Sequence, residues 1–424
     1  MCERQKFELR KTLNSDSQFH TPDKKNKAMN TQIQSRNGCK TRLTRSSLSL
    51  LIGLAISGTV IAGDALEEPA LKSDLAASRM LLDIERAGSN LVAVGERGHI
   101  LISTDEADTW QQAPAPVRVT LTNTFFVDDS FGWAVGHDGV VLKTEDGGRN
   151  WRKVMDGERA NKLMLGHAEA RLAELEYELE ADADEQQREE LEFELENRTY
   201  MAEDAAAFAD EGPSRPFLDL WFKDRNEGLV IGAFGLILHT TDGGETWSAW
   251  FDRLDNPSLF HLNAISRIGD QLYIAAEAGN LYRSADWGQH WELLDSPYDG
   301  SFFGITGNDR GRIITFGLRG NAFQSDDWGD SWETIETGVD STLFSGAMLA
   351  DGSAVLVGAA GVSLHLDAEG QVIGTDRDPA RLPQSKVLVS EKKELLIAGA
   401  HGVHAAVPAP FHVTATVSGG NADE

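Results

Sequence analysis

The residues in this chain best suited to chemistry or binding sit in short turns between apolar runs: Glu96 and Arg97, His137 and Asp138, Phe234, Glu277, Arg319 and His401. Carboxylates such as Glu96, Asp138 and Glu277, brought together from separate turns, could act as general acid and base. With 67 acidic side chains in 424 residues, coincidental pairs are common. A varied charged surface that binds a partner is the better expectation for these turns. Nothing in the sequence asks for a metal or cofactor. His401 and His404 lie three apart in a strand context and present no shared face, and Asp182 and Asp184 lack the Gly and terminal Glu of a calcium loop. No Gly-rich phosphate cradle precedes a helix. Both cysteines, Cys2 and Cys39, precede the part expected to fold, which excludes disulfide staples and Cys-ligated metal there.

A repeat must position these turns. Each follows a strand ending in Gly-x-x-Gly or a relative of it and leads into another strand: VAVGERGHIL, WAVGHDGVVL, VIGAFGLIL, YIAAEAGNLY, ITFGLRGNAF, VLVGAAGVSL and LIAGAHGVHA. The second glycines fall at 98, 139, 235, 279, 320, 361 and 402, a period near 41 residues with one long interval. After each second strand comes a box of Ser/Thr, any, Asp, any, usually Gly, two more and Trp. Five copies carry Asp105 and Trp110, Asp146 and Trp151, Asp242 and Trp247, Asp286 and Trp291, and Asp327 and Trp332; a sixth keeps Asp367 without the Trp. The Asp is expected to accept hydrogen bonds from turn N–H groups, the Gly to supply a backbone angle other residues resist, and the Trp to open the next strand and pack into the core. Seven such units predict an all-β, seven-bladed β-propeller with four strands per blade. The Asp-boxes then share one face, and the Gly-x-x-Gly turns share the other. Phenylalanines near the start of each innermost strand, Phe125, Phe217, Phe260, Phe302 and Phe344, read either as inter-blade core or as a ring around the channel mouth.

The long interval holds an insertion over 158–211 rich in Ala, Leu and Glu. Leu165, Ala168, Leu172, Leu175 and Leu179 step by three and four, as do apolar residues from Leu191 to Phe208, which predicts an antiparallel α-helical hairpin turning over residues 181–187. With 18 acids against 5 bases over 157–212, it is either a solvated excursion or a docking arm leaving from the Gly-x-x-Gly face.

Ahead of the repeats, Leu48 to Ala62 forms a 15-residue apolar run behind Lys40, Arg42 and Arg45. This reads as an export signal cleaved after Ala62 or Ala65, with an uncleaved anchor facing the periplasm as the alternative. Met29 is a plausible true start. The domains expected are therefore an extension and signal over 1–65, the propeller over 66–418 and a short tail over 419–424. Removing the signal leaves a net charge of about −35. A ring so acidic repels nucleic acid and anionic lipid and suits basic partner surfaces.

Over residues 80–405 the pairing of VAVGxxGxIL-type strands with TxDGGxxW boxes resembles the photosystem II stability/assembly factor family of Asp-box propellers and its non-photosynthetic bacterial relatives. The resemblance implies an exported, non-catalytic scaffold that helps assemble or stabilise a membrane protein complex. For the bacterial relatives it implies periplasmic partnership with an envelope transporter of the resistance-nodulation-division type. This chain departs in its acidic hairpin and in lacking a concentrated Arg patch on the turn face. The rival class is a sialidase-like glycoside hydrolase, since Asp-boxes also occur there. That chemistry needs three arginines around a substrate carboxylate, a Tyr beside a Glu, and an acid/base Asp. The turn face offers only Arg97 and Arg319, and Tyr298 is the one tyrosine suitably placed.

Overall fold

The computed structural model describes residues 64–180, 184–390 and 394–406. The export signal, the start at Met29 and the segment 411–418 lie outside them. The described strands form seven antiparallel sheets, six of four strands and the last of three, each running in sequence order from the axis outward. Their innermost strands are Leu81–Ala87, Leu121–Phe126, Phe217–Phe222, Leu262–Ile268, Phe302–Gly307, Leu343–Met348 and Gln384–Val389. Each packs against the next, and the seventh against the first, so the ring closes.

Burial follows from this radial order. Second strands such as Asn90–Gly95, Gly132–Gly136 and Gly228–Gly232 are buried along their whole length, because both faces are covered by neighbouring blades, and their sequences are accordingly continuous apolar runs. Innermost strands are buried only in part, as in Leu121–Phe126, where Leu121 and Thr124 are buried and the rest half-buried, because one side faces the channel and a bulge after Leu121 breaks strict alternation. Between blades 2 and 3 the Trp133 ring stacks on Phe222 at 3.6 Å, and its Nε1 donates to the Gly243 carbonyl at 3.0 Å.

The Gly-x-x-Gly turn has a specific backbone role. The first turn N–H donates to the carbonyl just ahead of the innermost strand in all seven blades, for example Glu96 to Met80 (3.0 Å), His137 to Thr120 (2.9 Å), Glu277 to His261 (2.9 Å) and Ala400 to Pro383 (3.2 Å). At Gly95 a Cβ would stand 2.2 Å from the Met80 carbonyl oxygen, so glycine is what permits the approach. Blade 4 carries Ala276 there instead, at φ −135°.

In all five boxes the Asp accepts from the N–H four residues on, whereas the Trp, expected in the core throughout, is buried in two of them. In blade 3, Asp242 Oδ1 accepts from the Thr246 N–H (2.8 Å) and Oδ2 from its hydroxyl (2.6 Å), while Thr240 Oγ1 accepts from the Gly244 N–H at 2.9 Å. The leading Ser/Thr is therefore a second staple. Hydrogen bonds from Thr109 and Ser103 hold Asp105 down at about 2, and Ser331 and Ser325 do the same for Asp327. Gly148, Gly244, Gly288 and Gly329 take positive φ near 90°; in the first box Ala107 does so at 70°. Trp151 and Trp247 are buried, with Nε1 donating to the Gly148 and Gly244 carbonyls, whereas Trp110, Trp291 and Trp332 are only partly covered. Asp367 keeps its staple, accepting from the Gln371 N–H at 2.8 Å.

The insertion is two helices, α1 (Gly157–Glu180) and α2 (Glu185–Glu211). The turn is shorter than its composition suggests, because Asp184 caps α2 in a reciprocal box with Gln187 and so draws Glu185–Gln187 into the helix.

Candidate functional site

Two regions compete for the site: the axial channel and the turn face with its helical arm. The channel has a volume of about 630 Å³ and is walled by the innermost strands. Their shared bulge places Asp83, Asn123, Asp219, Ala264, Gly304, Ser345 and Lys386 at equivalent positions. These side chains stitch blade to blade. Asp83 Oδ2 accepts from the Thr124 N–H at 2.9 Å, Asp219 Oδ2 from the Ile265 N–H at 2.8 Å, and Ser345 Oγ from the Val387 N–H at 3.3 Å. One residue earlier, Thr122 Oγ1 donates to the Phe217 carbonyl (2.8 Å) and Asn263 Nδ2 to the Phe302 carbonyl (2.7 Å). The junction of blade 7 with blade 1 is closed by an ion pair, Lys386 Nζ to Asp83 Oδ1 at 2.7 Å.

Burial sets the electrostatics of this wall. It pushes Asp219 up to about 7 and raises Glu85. Burial also works against the Lys386 charge, but the carboxylates of Asp83, Glu85 and Asp219 outweigh it and hold the ammonium above the usual lysine range. The group is a charge network on the channel wall that helps close the ring, and no local pattern announces it because Lys386 and Asp83 are about 300 residues apart in the chain.

Glu96, Asp138 and Glu277 do not converge on the axis; none lines the channel. They sit in turns between second and third strands, which are carried outward from the channel wall by the radial strand order. Among the described residues the channel wall contains Arg267 and no tyrosine. Tyr298 packs on Phe302 and Phe323, and its hydroxyl accepts from Asn321 Nδ2 at 3.2 Å. The arginine trio and Tyr–Glu pair of a sialidase are not gathered there. The phenylalanines divide by register: Phe217 and Phe302 are fully buried between blades, Phe125 and Phe344 line the channel, and Phe260 does neither.

On the turn face Arg97, Asp138, Phe234 and Arg319 occupy the turn apex in the left-handed region, φ 54° to 57°. Ala278 and Ala360 share this conformation, which marks it as part of the repeat rather than strain confined to a site. Arg97, His137, Phe234, Arg319 and His401 are exposed, while Glu96, Asp138 and Glu277 are half-buried. Burial raises Asp138.

The arm selects among these residues. It leaves blade 2 beside the turn His137–Gly139 and, rather than standing clear of the face, lays α1 against the outermost strand of blade 3, Ser248–Ala249. Ala160, Met164, Ala168 and Ala205 join the core of that blade, and His167 Nε2 lies 3.1 Å from Asp252 Oδ2. Its root is fixed by Asn161, which donates to the Phe208 and Gly212 carbonyls (2.9 and 2.8 Å) and accepts from Arg215 at 2.6 Å. The Arg215 guanidinium stacks on the Phe208 ring, and burial lowers it to about 10. Phe208 of α2 then meets Phe234 at 5.3 Å, Phe234 meets His261 at 4.7 Å, and His261 Nδ1 pairs with Glu277 Oε2 at 2.6 Å. Burial opposes the Glu277 charge, but His261 holds its carboxyl below the usual range. Phe234 and Glu277 are thereby joined to the arm, whereas Glu96, Arg97, Arg319 and His401 stand on blades 1, 5 and 7.

Fold and site together define a seven-bladed Asp-box propeller carrying a helical arm on its turn face. The chain is similar to the photosystem II assembly factors. The family model for photosynthesis system II assembly factor YCF48 matches residues 211–384. The photosystem II assembly lipoprotein Ycf48 of Synechococcus sp. (strain CC9902) is 34% identical over 91 residues, 21% of this chain and 27% of the relative. That of Picosynechococcus sp. (strain ATCC 27264 / PCC 7002 / PR-6) is 30% identical over 201 residues, 46% of this chain and 55% of the relative. The chain thus spans between about a quarter and half of the length of these curated relatives. A solved structure of YCF48 bound to a D1 peptide superposes with TM-score 0.54 at 16% identity, covering 79% of this chain and 97% of the other. The WD40 propeller domain of Doa1 superposes with TM-score 0.51 at 11% identity, covering 80% and 95%. At these identities the structural likeness concerns the fold alone.

Proposed function

We propose that this chain is an exported, non-catalytic scaffold whose turn face and arm hold a membrane protein during assembly or stabilisation of its complex. The observation that carries this reading is the unbroken surface Phe208–Phe234–His261–Glu277, which joins the arm to the blade turns. A surface made of turn apices can vary from blade to blade without altering the stapled backbone, which suits recognition. The curated relatives are named as assembly factors and lipoproteins, and one solved YCF48 carries a D1 peptide, so the class supports binding of a membrane-protein segment. The acidity of the arm favours a basic patch on the partner. A resistance-nodulation-division-type envelope transporter is the first candidate to test.

The test is in-cell crosslinking followed by capture from native envelopes, comparing the intact chain with one whose residues 160–211 are replaced by a short Gly/Ser link. A membrane protein captured only by the intact chain establishes the arm as the docking element. Equal capture by both overturns that role and moves the site to the blade turns, to be probed by Arg97→Ala, Arg319→Ala and His401→Ala. No capture by either removes the scaffold reading.

A further inference from the structure

The Asp-boxes of blades 4 and 5 carry an extra aromatic. Where blades 2 and 3 have Gly147 and Gly243, these two have Trp287 and Trp328, in the same left-handed conformation, with φ of 70°, 71°, 61° and 64° in turn. Glycine adopts that conformation freely and a bulky aromatic does not, so the turn itself does not call for tryptophan. The two indoles meet different surroundings. Trp287 is closed over: it stacks on Trp221 of the preceding blade at 5.4 Å, and the Lys223 and Arg267 cations lie over it at 5.5 and 5.7 Å. The strand register puts Ser266 where Trp221 stands one blade earlier. Among the described residues Trp328 accordingly has no stacked ring and no cation over it. It is seated on two glycine turns instead: a Cβ on Gly269 would stand 2.6 Å from its six-membered ring, and one on Gly311 would stand 2.7 Å from Nε1.

Half-buried Trp328 lines a cleft of about 460 Å³ together with Arg267, Gly269, Asp270, Gln271 and Asp309, a volume within the roughly 300–1,000 Å³ of small-ligand sites. The cleft lies on the Asp-box face, opposite the arm. Apart from the indole, no lining side chain is apolar. Arg267 Nη2 faces Asp270 Oδ1 at 3.3 Å, and Gln271 Oε1 accepts from the Tyr273 hydroxyl at 2.6 Å. The Asp309 carboxylate, Gln271 Nε2 and Trp328 Nε1 make no hydrogen bond among the described residues. One apolar plate amid open donors and acceptors matches a pyranose ring. Its C–H face packs on an indole, and its hydroxyls, each both donor and acceptor, bond to carboxylate, amide and guanidinium groups. We propose that this cleft binds a saccharide, with Trp328 as the platform and Asp309, Gln271 and Arg267 as hydroxyl partners. Two carboxylates against one guanidinium leave the cleft negative, which selects a neutral chain, such as one of N-acetylhexosamines, over one bearing uronates or sulfates. No part of the arm takes part, so this site is independent of the docking role above.

Isothermal titration calorimetry of the full chain with chitohexaose, cellohexaose and a hyaluronan hexasaccharide tests the proposal. Chitohexaose should bind saturably. Trp328→Gly installs the residue that blades 2 and 3 carry at this place, and Asp309→Ala changes an exposed side chain. Each should weaken binding at least ~10-fold, the loss expected for one stacking platform or one charge-assisted hydrogen bond. Asp309→Ala should also leave the melting curve in place, so a poorly folded Trp328→Gly chain does not leave the matter open. A native chain that binds none of the three sugars overturns the proposal. Binding that both variants leave unchanged also overturns it, by placing the sugar elsewhere, and a preference for hyaluronan overturns the neutral class.

Discussion

Replacing Lys386 by Met would leave the Asp83 carboxylate without its ion partner. Asp83 is 1% exposed; one oxygen is satisfied by the Thr124 N–H at 2.9 Å and the other faces Lys386 at 2.7 Å. Removing one member of a buried pair costs about 3–5 kcal/mol, because the remaining charge is uncompensated. The lysine side chain is itself 26% exposed, which places the expectation at the lower end, about 3 kcal/mol. For roughly 340 propeller residues, an unfolding entropy near 2.1 cal/mol/K per residue amounts to about 0.7 kcal/mol/K, so the melting temperature should fall by about 4 °C. Asp83→Asn combined with Lys386→Met should be more stable than the sum of the single changes predicts, by 1 kcal/mol or more. Calorimetry and urea titration of the four proteins measure this. A shift below 1 °C for Lys386→Met, or strictly additive single changes, would refute the claim that this pair closes the ring.

Burial raises the Asp219 pKa to about 7, so the folded state holds its proton more tightly than the unfolded chain, and the associated stability declines as pH rises from about 4 to about 7. Melts at pH 5 and 7.5 should show the native chain losing ground to Asp219→Asn over that interval. Asp242→Ala removes acceptors from the Thr246 N–H and hydroxyl and should destabilise by about 1–2 kcal/mol in urea titrations. The Asp105 and Asp327 carboxyls, held down at about 2, should contribute stability that disappears as pH falls below about 4, visible as a shallower acid transition in Asp105→Asn or Asp327→Asn. Gly95→Ala would put a Cβ 2.2 Å from the Met80 carbonyl oxygen and should cost about 1–3 kcal/mol, whereas Ala276→Gly, at the blade that already accommodates the methyl, should cost under about 1 kcal/mol.

Local signals in the sequence specified much of the ring. Alternation, the glycine pair and the Asp-box each act within a dozen residues, so the seven sheets and the helical hairpin follow directly from their spacing. The leading Ser/Thr of the box was visible as a recurring type, but its bond to the N–H four residues on required the turn geometry. What joins one blade to the next was not legible. Asp83, Asp219 and Lys386 look like ordinary acids and bases in alternating strands, and only the shared bulge register reveals that they occupy one level of the channel wall. The carboxylates Glu96, Asp138 and Glu277 misled for the converse reason: sequence shows that they occupy equivalent turns, but not how far a turn between second and third strands lies from the axis. The pairing of Phe234 with the arm depended on the packing of α2, which helical periodicity alone does not orient.

The ion pair at the seam also has a kinetic meaning. Among the described residues, the other stitches named above join segments 39 to 95 positions apart, whereas Lys386 meets Asp83 only after about 300 further residues have left the ribosome. Closing a flexible loop of that length costs roughly 5 kcal/mol of chain entropy, so blades can condense one upon the next while the circle stays open, and its completion waits for the final blade. An unfinished ring of this kind exposes the flank of its first blade throughout synthesis, the interval in which a holding chaperone would find something to grip.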